Sequence, residues 1–152
     1  MKSRYDILSM WEIDNPMARS DYPWLRFHAT GQVARSYGSA FLYGLGVYLG
    51  RQRYDLLFAG GLRLPLVFAL LNRIFFWRRI PIYVGASVFL EVPSRNPFLR
   101  LFQNMKAALL RGGVEKMMIL SGEEIESYAR VWGIPRERME KIIFKIIDEE
   151  IL

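Results

Sequence analysis

Tyr54-Asp55-Leu56-Leu57-Phe58-Ala59-Gly60-Gly61-Leu62-Arg63 is the stretch on which the fold reading turns. A polar approach, Arg51-Gln52-Arg53, gives way to an uncharged run from Leu56 to Gly60. A run this short, closed by a glycine pair and followed by a long apolar helical segment, predicts a buried strand that feeds a helix. That is the opening half of a βαβ unit. Ligands of open parallel sheets bind outside the carboxyl ends of the strands, so Gly60, Gly61 and Arg63 stand where a substrate site is expected.

Downstream the alternation continues. Leu64 to Arg79 predicts a helix with Pro65 in its first turn, where a missing N–H costs nothing. Leu66, Val67, Leu70, Leu71 and Ile74 line one side, and Phe68, Phe75, Phe76 and Trp77 extend the apolar surface nearly all round. Burial on several sides is the expectation, with contact to a partner or to lipid as the alternative. Arg73, Arg78 and Arg79 complement the dipole at its carboxyl end. Pro81 to Leu90 predicts the next strand, with Glu91 at its carboxyl end as a candidate catalytic base, an ion pair to Arg95 being the other use of that carboxylate.

The helix that follows has the clearest stripe: Phe98, Leu101, Phe102, Met105, Ala108 and Leu109 on one face, Arg100, Gln103, Asn104, Lys106 and Arg111 elsewhere. Packing on the sheet is expected over a position on an anionic membrane, and Gly112-Gly113 is expected to stop the helix. Lys116 to Leu120 predicts a further buried strand. Ser121-Gly122-Glu123-Glu124 has the form of a capping box that starts a helix ending at Gly133 before Pro135. Lys141 to Ile147 predicts a last strand, ending at Asp148.

Upstream, Tyr5 to Met10 predicts a first strand, and Asn15 to Thr30 reads as a loop. That loop holds the one histidine, His28, read as a solvated or hydrogen-bonded residue. Gly31 to Gly50 predicts a helix through Val33, Tyr37, Phe41, Leu45 and Tyr48. Gly38, Gly44 and Gly46 weaken it by about 1 kcal/mol each, which predicts close approach to a neighbour. The Gly44, Gly46, Gly50 spacing is not the dinucleotide fingerprint, because the third glycine falls one place late and no strand precedes it. No nicotinamide enzyme, and no cofactor, is expected.

The whole chain bounds these readings. Its 152 residues suit one domain, 1–152, and 52% hydrophobic with 24% charged residues is a globular composition. A net charge of +6 suits an anionic partner, but the longest basic cluster is Arg78-Arg79, so no nucleic-acid partner is expected. Without cysteine there is no disulfide or thiolate metal site, and no metal centre is expected. The amino terminus lacks a signal-peptide core, and Ser36 to Gly50 is too short to span a bilayer. The expected location is cytoplasmic, with a peripheral position at the inner face of the membrane as its refinement. Strand and helix candidates in alternation predict an α/β class: a three-layer, Rossmann-like parallel sheet with helices on both faces.

On the order Tyr54 to Gly61, apolar helix, Pro81-Ile82-Tyr83-Val84, amphipathic helix, Lys116 to Ser121 with Glu124, then Tyr128-Ala129 and Gly133-Ile134-Pro135, the chain resembles the N-terminal half of a GT-B glycosyltransferase, of the retaining group. The resemblance implies half of a GT-B fold that holds a sugar or lipid-linked acceptor, with nucleotide-sugar bound only by a second, C-terminal domain that this chain lacks. It implies sugar transfer to a polysaccharide or lipid-linked acceptor when that domain is supplied, and inactivity alone. The family's histidine after the third strand and its Asn-Gly before the terminal acid are replaced here by Phe89-Leu90-Glu91 and Lys145-Ile146-Ile147-Asp148. The expected substrate-binding residues are Gly60, Gly61, Arg63, Ser121 and Glu124, the last two also explained by capping. A membrane-surface binding module without catalysis is the second expectation.

Overall fold

Runs of three to five residues form the strands, and the longer periodic segments between them form the helices. The computed structural model describes residues 4–9, 23–30, 36–85 and 92–142. Its strands are β1 (Tyr5–Ser9), β2 (Leu25–Ala29), β3 (Leu56–Ala59), β4 (Ile82–Val84), β5 (Lys116–Ile119) and β6 (Met139–Lys141). Its α-helices are α1 (Tyr37–Leu49), α2 (Arg63–Ile74), α3 (Pro97–Gly113) and α4 (Gly122–Trp132), with 3-10 turns at Phe76–Arg78 and Arg136–Arg138. All strands are parallel, in the order β2-β1-β3-β4-β5-β6. This is the expected α/β class, consistent with a three-layer, Rossmann-like arrangement.

The strands alternate burial with the pleat. Leu57, Ala59, Ile82, Val84, Met117, Ile119 and Met139 are buried and share one core with Ala40 and Tyr48 of α1, Phe68 and Leu71 of α2, Ala107 and Leu110 of α3, and Tyr128 and Trp132 of α4. Leu56, Phe58, Tyr83 and Met118, on the opposite face, are only half-buried. α2 is the centre of the helical layer, packed against both α1 and α3. Contact with α1 is close because a Cβ at Gly44 would lie 2.6 Å from Leu71 Cδ1, which accounts for a glycine inside that helix. The approach expected of Gly46 is absent, since a Cβ there meets nothing within 4 Å.

A buried polar network ties these layers. The Tyr48 hydroxyl donates to Asn72 Oδ1, which also accepts from Ile80 N–H at 2.8 Å, while Asn72 Nδ2 donates to the Ile80 carbonyl at 2.8 Å. One side chain thereby joins α1, α2 and the approach to β4. Burial pushes the Tyr48 phenol well above its usual range, chiefly by desolvating the charged form.

Several boundaries differ from expectation. β2 lies within the segment read as a loop, and it places His28 on a strand paired with β1. Edge position explains the miss: the strand is nowhere fully buried, so it carries no continuous apolar run. α2 ends at Ile74 rather than Arg79, and Phe76–Arg78 turns as a separate 3-10 segment. α3 runs through Gly112-Gly113 instead of stopping before them. β6 begins at Met139, because the Arg136–Arg138 turn delivers Met139 opposite Met117. Of the predicted Lys141 to Ile147 strand, Lys141 ends β6, Ile142 follows with its N–H bonded to the Ile119 carbonyl, and residues 143–147 lie outside the described residues, as does Gly31 to Arg35 of the predicted helix.

The largest correction concerns α3. Its buried positions are Gln103, Ala107, Leu110 and Gly113, while Phe98, Leu101, Phe102 and Met105 are exposed. Those four residues of the stripe expected to pack on the sheet face outward, while Ala108 and Leu109 are half-buried, Leu109 against the core. Small side chains let the other face approach α2: a Cβ at Gly113 would come within 2.5 Å of Ala69 Cβ.

Candidate functional site

The chain runs from β1 outward to β2 and then back past β1 to β3, so the strand order reverses between β1 and β3. In open parallel sheets a reversal of this kind is the usual place for a ligand, outside the carboxyl ends of the strands. Ser9 ends β1 fully buried, and its carbonyl accepts from Thr30 N–H at 2.7 Å. Across from it, β3 ends in buried Ala59 and Gly60. Gly61 follows with φ 66°, left-handed backbone that a side-chain-bearing residue adopts only with strain, and a Cβ built there meets nothing within 4 Å among the described residues. The turn is therefore tight.

α2 starts from this turn without a side-chain cap, since Leu62 holds the cap position. First-turn amides without a side-chain acceptor, joined by a cation, favour an anionic group. Arg63 supplies the cation: it is exposed, and its guanidinium lies 5.9 Å from the ring centre of Tyr37, the first residue of α1. Gly60, Gly61 and Arg63 thus lie at the carboxyl end of β3, beside the point where strand order reverses. Tyr37 joins them, a role its place in a helical periodicity did not disclose.

Ser121 and Glu124 stand apart from that group. They follow β5, separated from β3 by β4, which amounts to about 10 Å across the sheet. Ser121 Oγ accepts from Glu123 N–H at 3.1 Å and from Glu124 N–H at 3.3 Å, so it caps α4. Glu91 lies outside the described residues.

Another polar group sits toward the amino ends of the strands. His28 Nε2 lies 2.9 Å from Asp6 Oδ1, and the Asp6 N–H donates to Asp55 Oδ2 at 2.8 Å. Tyr54 packs edge-on to His28 at 5.3 Å, and burial, followed by the Asp6 charge, raises its phenol pKa. The histidine is hydrogen-bonded, as read, but it crosslinks strand β2 to β1 instead of decorating a loop. Beside it an open groove of about 580 Å³ is lined by Leu42, Tyr43, Gly46, Val47, Arg51 and Tyr54. Burial pushes the Tyr43 phenol up to about 12, with Tyr54 adding to the effect. Among the described residues no set of three His, Asp or Glu side chains is placed to hold a metal ion, and no helix is long and apolar enough to cross a membrane.

The fold is that of a Rossmann-like α/β protein with a tight glycine turn at the carboxyl end of β3. No protein-family model matches the sequence, and no curated protein matches it.

Proposed function

We propose that the chain is the acceptor-side half of a GT-B glycosyltransferase. Completed by a donor-binding C-terminal domain, it holds a polysaccharide or lipid-linked acceptor that receives a sugar from a nucleotide-sugar. Alone it is inactive. The observation that carries the reading is the tight Gly60-Gly61-Leu62-Arg63 turn at the point where strand order reverses, with the Arg63 cation at the start of α2. A phosphate-bearing acceptor fits that chemistry. The segments of the resemblance also run in sequence order along β3, β4 and β5.

The test is titration of the full chain with a short-chain polyprenyl-phosphate sugar, alongside a transfer assay with nucleotide-sugar. Expected are saturable binding, about tenfold weaker in Arg63→Ala at unchanged Tm, and no transfer by the chain alone. Sugar transfer by the isolated chain, or a fall in Tm that matches the loss of binding, overturns the reading.

A second reading is favoured by the outward apolar face of α3: a peripheral module without catalysis, in the cytoplasm at the inner, anionic face of the membrane. An acceptor anchored in lipid makes the two readings compatible.

A further inference from the structure

We propose that the amino-terminal half of α3 is the element by which this chain sits on an anionic lipid surface, with Phe98, Leu101, Phe102 and Met105 entering the interface. The inference rests on the membrane-surface reading and names the surface responsible. Phe98 is 75% exposed, Leu101 57%, Phe102 60% and Met105 54%. Spacings of three and four residues put them on one side of the helix, while Gln103, Ala107 and Leu110 hold another side against the protein. A contiguous apolar face of this kind marks an interaction surface.

The helix end that carries it is well anchored. Asn96 Oδ1 accepts from Phe98 N–H at 3.0 Å, and Pro97 occupies the first turn. Gln103, turned inward, accepts from Ser94 N–H at 2.8 Å and donates to the Val92 carbonyl at 3.2 Å. Phe98 and Phe102 are thus outward on a capped helix, not on a frayed one.

Charge decides the kind of partner. Between Val92 and Gly113 the sequence has Arg95, Arg100, Lys106 and Arg111 and no carboxylate. By helix periodicity Lys106 falls beside the apolar face, and an apolar face bordered by a cation, in a segment without acid, matches an anionic headgroup layer over acyl chains. The competing exposed pair, Phe76 and Trp77, lies among arginines that are already engaged: Arg78 donates to the Tyr48 and Gln52 carbonyls, and Arg79 to the Gly112 carbonyl and Glu115. Glu115 adds a negative charge there. α3 follows β4 and so begins on the carboxyl side of the sheet, the side that carries Gly61 and Arg63.

Vesicle sedimentation of the full chain tests this, with phosphatidylglycerol-containing and pure phosphatidylcholine vesicles. Expected are partitioning onto the anionic vesicles, loss in high salt, at least a tenfold drop for the double variant Phe98→Ser with Phe102→Ser, a several-fold drop for Lys106→Glu, and no change for Trp77→Ser. Because the aromatic side chains are exposed, thermal unfolding of their variants stays at the parent value. Parent-level partitioning of the double variant, or loss in Trp77→Ser alone, overturns the assignment to α3 while the membrane reading stands. Failure of the parent chain to bind either vesicle overturns both.

Discussion

α2 and α3 are neighbouring helices, both rich in large apolar residues, and they use them in opposite ways. From Leu64 to Ala69, and at Leu71 and Asn72, α2 is buried, enclosed by the sheet and by α1 and α3. α3 meets α2 at Gly113, buries Ala107 and Leu110 in the core, and presents Phe98, Leu101, Phe102 and Met105 to solvent. Both helices follow a βα connection of the same parallel sheet. The difference lies in size at the contact. Gly113 against Ala69 allows close approach, and close approach spends the small face of α3 on the protein. An apolar stripe therefore reports that a surface will be covered, without naming what covers it.

Truncation in α2 should break the fold most. Phe68 is fully buried and packs on Tyr48, so Phe68→Ala is expected to destabilise by about 4 kcal/mol through lost burial and a cavity, measured by urea unfolding with unchanged m. A loss under 1 kcal/mol would mean that α2 is not the enclosed helix.

The network beneath α2 sharpens the contrast at alkaline pH. Tyr43 and Tyr48 both have phenol pKa values raised above 10, so between pH 10 and about 12 the unfolded chain releases protons that the folded chain retains. With fewer protons bound when unfolded, stability falls as pH rises through that window. Tyr48→Phe is expected to cost about 1 kcal/mol at neutral pH by removing the bond to Asn72, and to flatten the alkaline decline. A decline of the same slope in the variant would assign it to other groups.

The smallest effect belongs to α3. Phe102→Ser should change folding stability by less than about 0.5 kcal/mol, since the ring is exposed. Chemical denaturation checks it, and a cost near that of Phe68→Ala would show that the stripe is core after all.

Legibility followed burial. β3, β4 and β5 were readable because both faces of a central strand favour apolar residues, leaving short uncharged runs such as Leu56 to Gly60. β2 was not, although Leu25 and Phe27 alternate with Arg26 and His28 at a period of two, the signal that would have found it. Of the candidate residues, Gly60, Gly61 and Arg63 were placed by their position after a strand, whereas Ser121 shows the reverse case: its capping chemistry was legible, and capping is what it does.

By itself the sequence determined the α/β class, the strand-turn-helix at Gly60 to Arg63, and the caps at Ser121 and Gly133, because each depends on residues within a few positions of one another. Only tertiary structure decided that the order reverses between β1 and β3, that Tyr37 meets Arg63, that Asn72 joins three segments, and that α3 turns its apolar face outward. Those outcomes depend on which distant surfaces fit closely, as at Gly113 and Ala69, and local periodicity carries no record of that fit.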